Sequence, residues 1–382
     1  MNNFMKYKNN FFTNKPVLFV NQSIGPLFED IINSGNKKTD IKVFEGIAYL
    51  NKNYFSRFWT WSIYSIQLYL HIIKNDKKYS KILFVTNPPF TIFIALVTKT
   101  PYAFLLYDLY PQVLKQLNMP KLFFKSISLV WNIVNKKVFT KAFKIYTLSN
   151  SMADKTKQYF IVKDDWKEKV KVIPPWANTN NLYPVPISQN NFRKKYNYEN
   201  KLLVTYSGNL GLTHPVEIIV NASILVNSNC KIMIIGSGPK LNLLKKIAQK
   251  NNIDKRKLNF LEKLPYSLLS ESSSAADISV VTLDRKSSDA SLPSKTFTSL
   301  ATGTPIVVLA PDESGIAKLI KKHKCGIVIE PNKNSHKELA NLINYYSSNK
   351  KELKKLSDNA LEASKFYTQK NADILIEDFL KE

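Results

Sequence analysis

The residues best equipped for chemistry in this 382-residue chain are one lysine, one aspartate and two glycine-bearing turns. Lys295 follows Pro293 and Ser294 in the stretch 291–308, SLPSKTFTSLATGTPIVV. That stretch reads as a turn, a short helix, a tight loop and a buried strand. Pro293 suits a first helical turn, where its missing N–H costs nothing. Phe297, Leu300 and Ala301 share one helical face, Gly303 ends the helix, and 306–310 is an apolar strand. Ser294, Lys295 and the N–H groups of the helix start would converge on an incoming anion. The stretch is a candidate diphosphate seat.

The two turns support that chemistry. Ser207-Gly208-Asn209-Leu210-Gly211 separates a strand, 202–206, from a helix beginning at His214-Pro215. Without side chains at Gly208 and Gly211, backbone can approach a phosphate closely. Gly236-Ser237-Gly238-Pro239 follows the strand 231–235. It lacks the third glycine of a dinucleotide fingerprint and falls in mid-chain. Leu264 lies in the loop after the strand 258–261. Asp108 ends the strand 102–107, where an aspartate would face a cleft and could orient a hydroxyl or take its proton. Capping the helix 111–117 would need the same residue, and both readings stand. Gly25, after the strand 17–20, and Pro88-Pro89, after the strand 81–86, are candidate site walls.

Strands and helices alternate along the whole chain. The fold class is therefore α/β, with two doubly wound Rossmann-like domains facing across a cleft. Residues 1–182 form the first domain, 183–200 an Asn- and Pro-bearing linker, and 201–366 the second domain. A last amphipathic helix occupies 367–382.

The hydrophobic fraction, 44%, is ample for two cores. Cys230 and Cys325 lie in or beside core strands and read as buried thiols, which suits a reducing cytoplasm. With four histidines and no His/Cys cluster at ligand spacing, no metal site and no cofactor is expected. No segment reads as a signal peptide. The longest uncharged runs, 58–73 and 82–98, fall short of the ~20 residues a spanning helix needs.

The formal net charge is +26, and residues 51–150 carry 14 Lys+Arg against 2 Asp+Glu. Basic and aromatic together point to nucleic acid, an anionic membrane surface, or simply solvated faces. No zinc-finger, RRM or helix-turn-helix signature is present, so no nucleic-acid partner is expected. The helix 54–73 carries Ile63, Ile66, Leu70 and Ile73 as an expected core stripe. In the amphipathic helix 121–141, Phe123, Ile127, Val130, Val134 and Val138 share a face and lysines lie elsewhere. These two helices are the membrane-docking candidates, although a helix packed on a sheet would look much the same.

PSK followed by LATGTPIVV resembles the donor-site motif of glycosyltransferase family 4, especially its bacterial cell-surface polysaccharide enzymes of the fucosyltransferase-like branch. VTYSGNLGLTHPVE at 204–217, IMIIGSGPK at 232–240, AADISVVTL at 275–283 and DLYP at 108–111 agree with it. The resemblance implies the GT-B fold and transfer of a sugar from a nucleotide-sugar, UDP- or GDP-linked, to a glycan or lipid-linked acceptor. It implies retention of configuration without a metal, and a last helix that returns to the first domain. It places the donor on Gly208, Asn209, Gly211, Gly236, Gly238, Leu264, Pro293, Ser294, Lys295 and Thr298. Catalysis would rest on Asp108, and the enzyme would be cytoplasmic, peripheral on the inner face of the membrane. Two departures stand out. The family's paired glutamates are Ala290 and Thr298 here, and Asn209 with Thr213-His214 stands where many members carry an Arg and a Lys. Lys295 would then substitute for those cations. The missing glutamates leave a second reading open, a non-catalytic homologue acting as a binding partner.

Overall fold

The computed structural model describes residues 15–23, 25–50, 54–117, 120–198, 200–211, 214–283, 285, 288 and 292–381. It holds two compact units. The first ends at Pro174 and regains the chain at Lys370, while the second is Pro175–Gln369.

The first unit is built on six parallel strands: β1 (Val17–Val20), β2 (Ile41–Val43), β3 (Lys81–Val85), β4 (Tyr102–Leu106), β5 (Lys144–Thr147) and β6 (Val170–Val172). They run in the order β2-β1-β3-β4-β5-β6. The central strands are unbroken apolar runs because helices cover both faces of a parallel sheet. Val17–Val20 and Tyr102–Leu106 are buried at every position. Strand order reverses between β1 and β3, which opens a crevice at their carboxyl ends.

Two helices of this unit depart from the expected faces. In the helix Tyr54–Asn75 the buried side chains are Thr60, Tyr64, Ser65, Leu68 and Ile72, while Ile66, Leu70 and Ile73 are exposed. The reason is that Tyr64 packs edge-on against Phe44 beside β2, which turns the isoleucine stripe outward. In the helix Lys121–Lys141 the sheet side is Trp131, Asn135, Val138 and Phe139. Phe123 and Val130, expected to share one face with Val138, instead lie apart from it and point to solvent with Leu122, Leu129 and Ile133. Asn135 faces inward because its amide donates to the Tyr110 carbonyl at 2.8 Å.

The last helix, Lys370–Lys381, completes the first unit. It buries Ala372, Leu375, Ile376 and Phe379. Asp373 accepts from Ser34 at 2.6 Å, Glu377 pairs with Lys38 at 2.5 Å, and Asp378 pairs with Lys171 at 2.5 Å.

The second unit repeats the plan with β7 (Leu202–Ser207), β8 (Cys230–Ile235), β9 (Leu258–Leu261), β10 (Ile278–Thr282), β11 (Ile306–Leu309) and β12 (Gly326–Ile329). The order is β12-β11-β10-β7-β8-β9, the doubly wound arrangement, with its reversal between β7 and β10. Cys230 and Cys325 are free and buried. Residues 183–200, read above as a linker, instead belong to this unit. Phe192 and Tyr198 are buried with Leu203, Met233 and Ala275. Apolar anchors spaced among Asn and Pro give no periodicity, which is why the segment looked unstructured.

Phe379→Ala should lower the stability of the first unit by about 3–5 kcal/mol, the usual cost of emptying a buried phenylalanine site. Urea unfolding followed by hydrogen exchange should show the first sheet opening earlier while the second is unchanged.

Candidate functional site

In the second unit the turns after β7 and β8 are joined backbone to backbone. Gly208 N–H donates to the Ile235 carbonyl at 2.9 Å, Leu210 N–H to Ser237 at 2.9 Å, and Lys240 N–H to Leu210 at 3.1 Å. A Cβ on Gly236 would lie 1.9 Å from the Gly208 carbonyl oxygen, and its φ of 150° is one that side chains rarely permit. Gly238 similarly abuts the Leu210 carbonyl, with 2.6 Å to an added Cβ. These two glycines hold the turns together. Gly208 has a further role, because an added Cβ there would sit 3.1 Å from Lys295 Nζ. Asn209 is exposed beside it, and Gly211 lies against the His214 ring.

Lys295 opens the helix Lys295–Ala301. Its Nζ lies 3.8 Å from the centre of the Tyr206 ring. Part of the side chain reaches the surface, but the ammonium itself is covered and has no hydrogen-bond partner among the described residues. Burial pulls its pKa down to about 7. A cation over an aromatic face recovers part of the lost hydration. Three N–H donors nevertheless remain unused, and a buried unpaired ammonium is costly. An anion entering here would supply the missing acceptors.

Lys295, Thr298, Ser299, Ser207, Thr205 and Ser272 line a small cavity of about 40 Å³. Thr298 therefore shares a polar recess with the lysine. Ser294 is exposed, and Pro293 is half-buried. The helix start offers fewer donors than the sequence suggests. Thr296 N–H is taken by the Pro293 carbonyl at 3.1 Å and Phe297 N–H by Ser294 at 3.0 Å. Leu264 is half-buried against the cluster that contains Phe192 and Met233. Ala290 and Thr213 lie outside the described residues.

Sequence reasoning missed the shell that fixes this lysine. Tyr206 donates its hydroxyl to the Asn209 carbonyl at 2.9 Å. His214 lies with Nδ1 3.5 Å from Thr282 Oγ1. Burial, and then the charges of Lys295 and Lys240, hold its pKa down to about 4 against the opposing Thr282 hydrogen bond, so the ring is neutral at pH 7. Lys240 Nζ bonds the His214 carbonyl at 2.7 Å and pairs with Glu217 at 2.8 Å. A tyrosine two residues before a glycine turn was the one signal available.

The first unit gathers its own polar group at the crevice between β1 and β3. Gln22 N–H donates to the Asn87 carbonyl at 3.1 Å, and Asn87 to Ser23 Oγ at 2.8 Å. Gly25 caps the helix Pro26–Asn36, and beyond its chain neighbours no atom of the described residues lies within 4 Å of a Cβ added to it. Pro88 and Pro89 are buried supports. Thr86 Oγ1 donates to the Asp108 carbonyl at 2.8 Å and accepts from Tyr107 N–H at 3.0 Å, which anchors the end of β4.

Burial pushes the Asp108 carboxyl up to about 6, opposed by the nearby Arg57 charge. Arg57 was not expected. Its guanidinium lies 5.0 Å from the Trp61 ring, which stacks on Tyr49 at 6.3 Å. Arg57 Nε, Trp61 Nε1, Asn21 Oδ1 and Gln22 Oε1 are buried without partners among the described residues. Donors and acceptors left open beside a carboxylate and aromatic rings suit a hydroxyl-bearing ligand.

The depressed Lys295 pKa carries a sign that can be checked. Its unfolded value, 10.5, lies above its folded value of about 7. Between the two the unfolded chain binds more protons, so this group makes stability rise with pH across that window. Urea midpoints taken at about pH 7 and about pH 9.5 should rise more in the wild type than in Lys295→Met.

Three comparisons place the chain among known proteins. Residues 188–363 match the family model described as "Glycosyl transferases group 1". The probable glycosyltransferase WbjE of Pseudomonas aeruginosa is 23% identical over 235 residues, 60% of this chain and 56% of that protein. The match thus spans little more than half of that relative's length. HepE of Anabaena, solved in complex with UDP and glucose, superposes with a TM-score of 0.72 at 15% identity, covering 96% of this chain and 99% of that one. The sucrose-phosphate synthase of Thermosynechococcus elongatus superposes at 0.73 with 14% identity, covering 96% and 98%. Residues 188–363 of the second unit thus resemble the group 1 glycosyl transferases, and the chain has the GT-B fold of two Rossmann-like domains.

Proposed function

We propose that this protein transfers a sugar from a nucleotide-sugar to a glycan or lipid-linked acceptor in cell-surface polysaccharide synthesis. It would be a family 4-like hexosyltransferase, retaining and independent of metal. The observation that carries this reading is the buried, unpartnered Lys295 ammonium beside Gly208, inside the segment that matches the group 1 transferases. HepE has also been solved with UDP-glucose, which makes a UDP-sugar the first donor to test.

In this reading the donor diphosphate meets Lys295 and the turn at Gly208, and binding raises the lysine pKa again. A charged Lys295 then offsets the negative charge that develops on the leaving diphosphate. Neutral His214 contributes no competing charge. Thr298 Oγ1 takes the ribose role of the family glutamate. Asp108, titrating near neutral pH, accepts the proton of the attacking hydroxyl, and Arg57 holds the acceptor beside it.

The first unit also presents an apolar face to solvent. Phe55, Phe58 and Trp59 lie on one helix, and Leu122, Leu129 and Ile133 on the other. Both helices pack on the short helix Thr91–Ile94. Lys121, Lys125, Lys136 and Lys137 flank this face, and among the described residues no helix is long and apolar enough to cross a membrane. The reading assigns this face to an anionic membrane surface, with the enzyme peripheral on its cytoplasmic side. Leu122→Asp/Leu129→Asp should abolish co-sedimentation with phosphatidylglycerol vesicles, and unchanged binding would contradict the assignment.

A panel of UDP- and GDP-sugars, screened by thermal shift and ligand-observed NMR, tests the function. Selective binding weakened about tenfold or more in Lys295→Ala supports the donor seat. Asp108→Asn should retain donor binding while transfer falls about 100-fold. Ala290 and Thr298, standing where the paired glutamates were expected, favour a second reading, a homologue that binds a partner without turnover. Folded protein that binds no nucleotide-sugar would establish that one instead.

A further inference from the structure

A second cavity lies in the second unit at the far end of the sheet from Gly208, where β7, β10 and β11 begin. Its volume is about 660 Å³. That falls inside the range of roughly 300–1,000 Å³ typical of small-molecule sites. Nothing in the donor-site chemistry uses it.

Arg193 and Asp277 form one wall. Arg193 is 2% exposed, and its guanidinium pairs with Asp277 at 2.5 Å and donates to the Lys201 carbonyl at 2.8 Å. Asp277 also accepts from Leu203 N–H at 2.7 Å. The pair is neutral as a unit, yet Arg193 Nε stays buried without a partner among the described residues.

The remaining charge at this cavity is positive. Lys354 is neutralised by Asp358. Lys350 Nζ makes no side-chain hydrogen bond among the described residues and acts on Asp277 only through its charge, and the bond of Lys201 Nζ is a long one, 3.4 Å to the Ser228 carbonyl. Two lysines are therefore left for an anion. The rest of the lining mixes apolar surface, as at Pro186, Ile187 and Leu353, with amides at Asn200 and Asn229. Such a surface matches a sugar ring, which presents C–H faces and hydroxyls together.

We propose that this cavity is a binding site for a phosphorylated sugar, its phosphate held by Lys201 and Lys350. The site is separate from the donor seat and does not depend on the transferase reading. Thr302 and Gly303, which follow the helix opened by Lys295, line it.

Saturation-transfer NMR on the full chain tests the proposal, with glucose 1-phosphate as the probe and glucose and inorganic phosphate as controls. Glucose 1-phosphate should bind saturably and more tightly than either control. Affinity should fall about tenfold in Lys201→Ala/Lys350→Ala and stay unchanged in Lys295→Ala. Circular dichroism would check that both variants keep their fold. Lack of saturable binding, equal binding of either control, or an unchanged double variant would overturn the proposal. Loss in Lys295→Ala would also overturn it, by assigning the signal to the donor seat. Binding of UDP-glucose in the same samples reports on the transferase reading separately.

Discussion

The structure of the second unit turns on one ammonium group with too few partners. Lys295 Nζ is shielded from water, rests on the Tyr206 ring and makes no hydrogen bond among the described residues. Such a group is stable only if neutral or if an anion joins it, and burial has already moved its pKa to about 7. The surroundings are arranged to keep it there. Gly208 leaves room beside Nζ, Gly236 and Gly238 let the flanking turns close on each other, and Lys240 ties the His214 backbone to Glu217. A residue with a Cβ at Gly236 would force the turns apart and release the lysine.

The two sheets explain why such groups sit where they do. In a parallel sheet every strand ends on the same edge, and a reversal of strand order separates two neighbouring loops at that edge. In the second unit the reversal falls between β7 and β10, which places the Gly208 turn and Thr282 together. In the first it falls between β1 and β3, and there Asn21, Gln22 and the Asn87 turn meet. Asp108, anchored by Thr86 at the end of β4, lies on the same edge.

Much of this was legible in the sequence because parallel core strands are continuous apolar runs. The seven strands bounded from the sequence all appear within a residue of those bounds. Lys295 and Gly208 were also legible, as a cation after a proline turn and a glycine after a strand. Helix faces were not. The isoleucines of the helix Tyr54–Asn75 share a face, but packing of Tyr64 on Phe44 decides which face is inward, and that contact crosses from another element. Thr282 and Arg57 were invisible for the same reason. Each acquires its role from neighbours far along the chain, and neither carries a local spacing. The segment 183–200 failed differently, since its core anchors are too few to form a period.

Hydrogen–deuterium exchange with and without UDP-glucose tests the central claim most directly. If Lys295 and the glycine turns seat the donor diphosphate, protection should concentrate in residues 207–211, 236–240 and 293–299. Saturating UDP-glucose that protects none of these segments, or protects only peptides elsewhere, would contradict it.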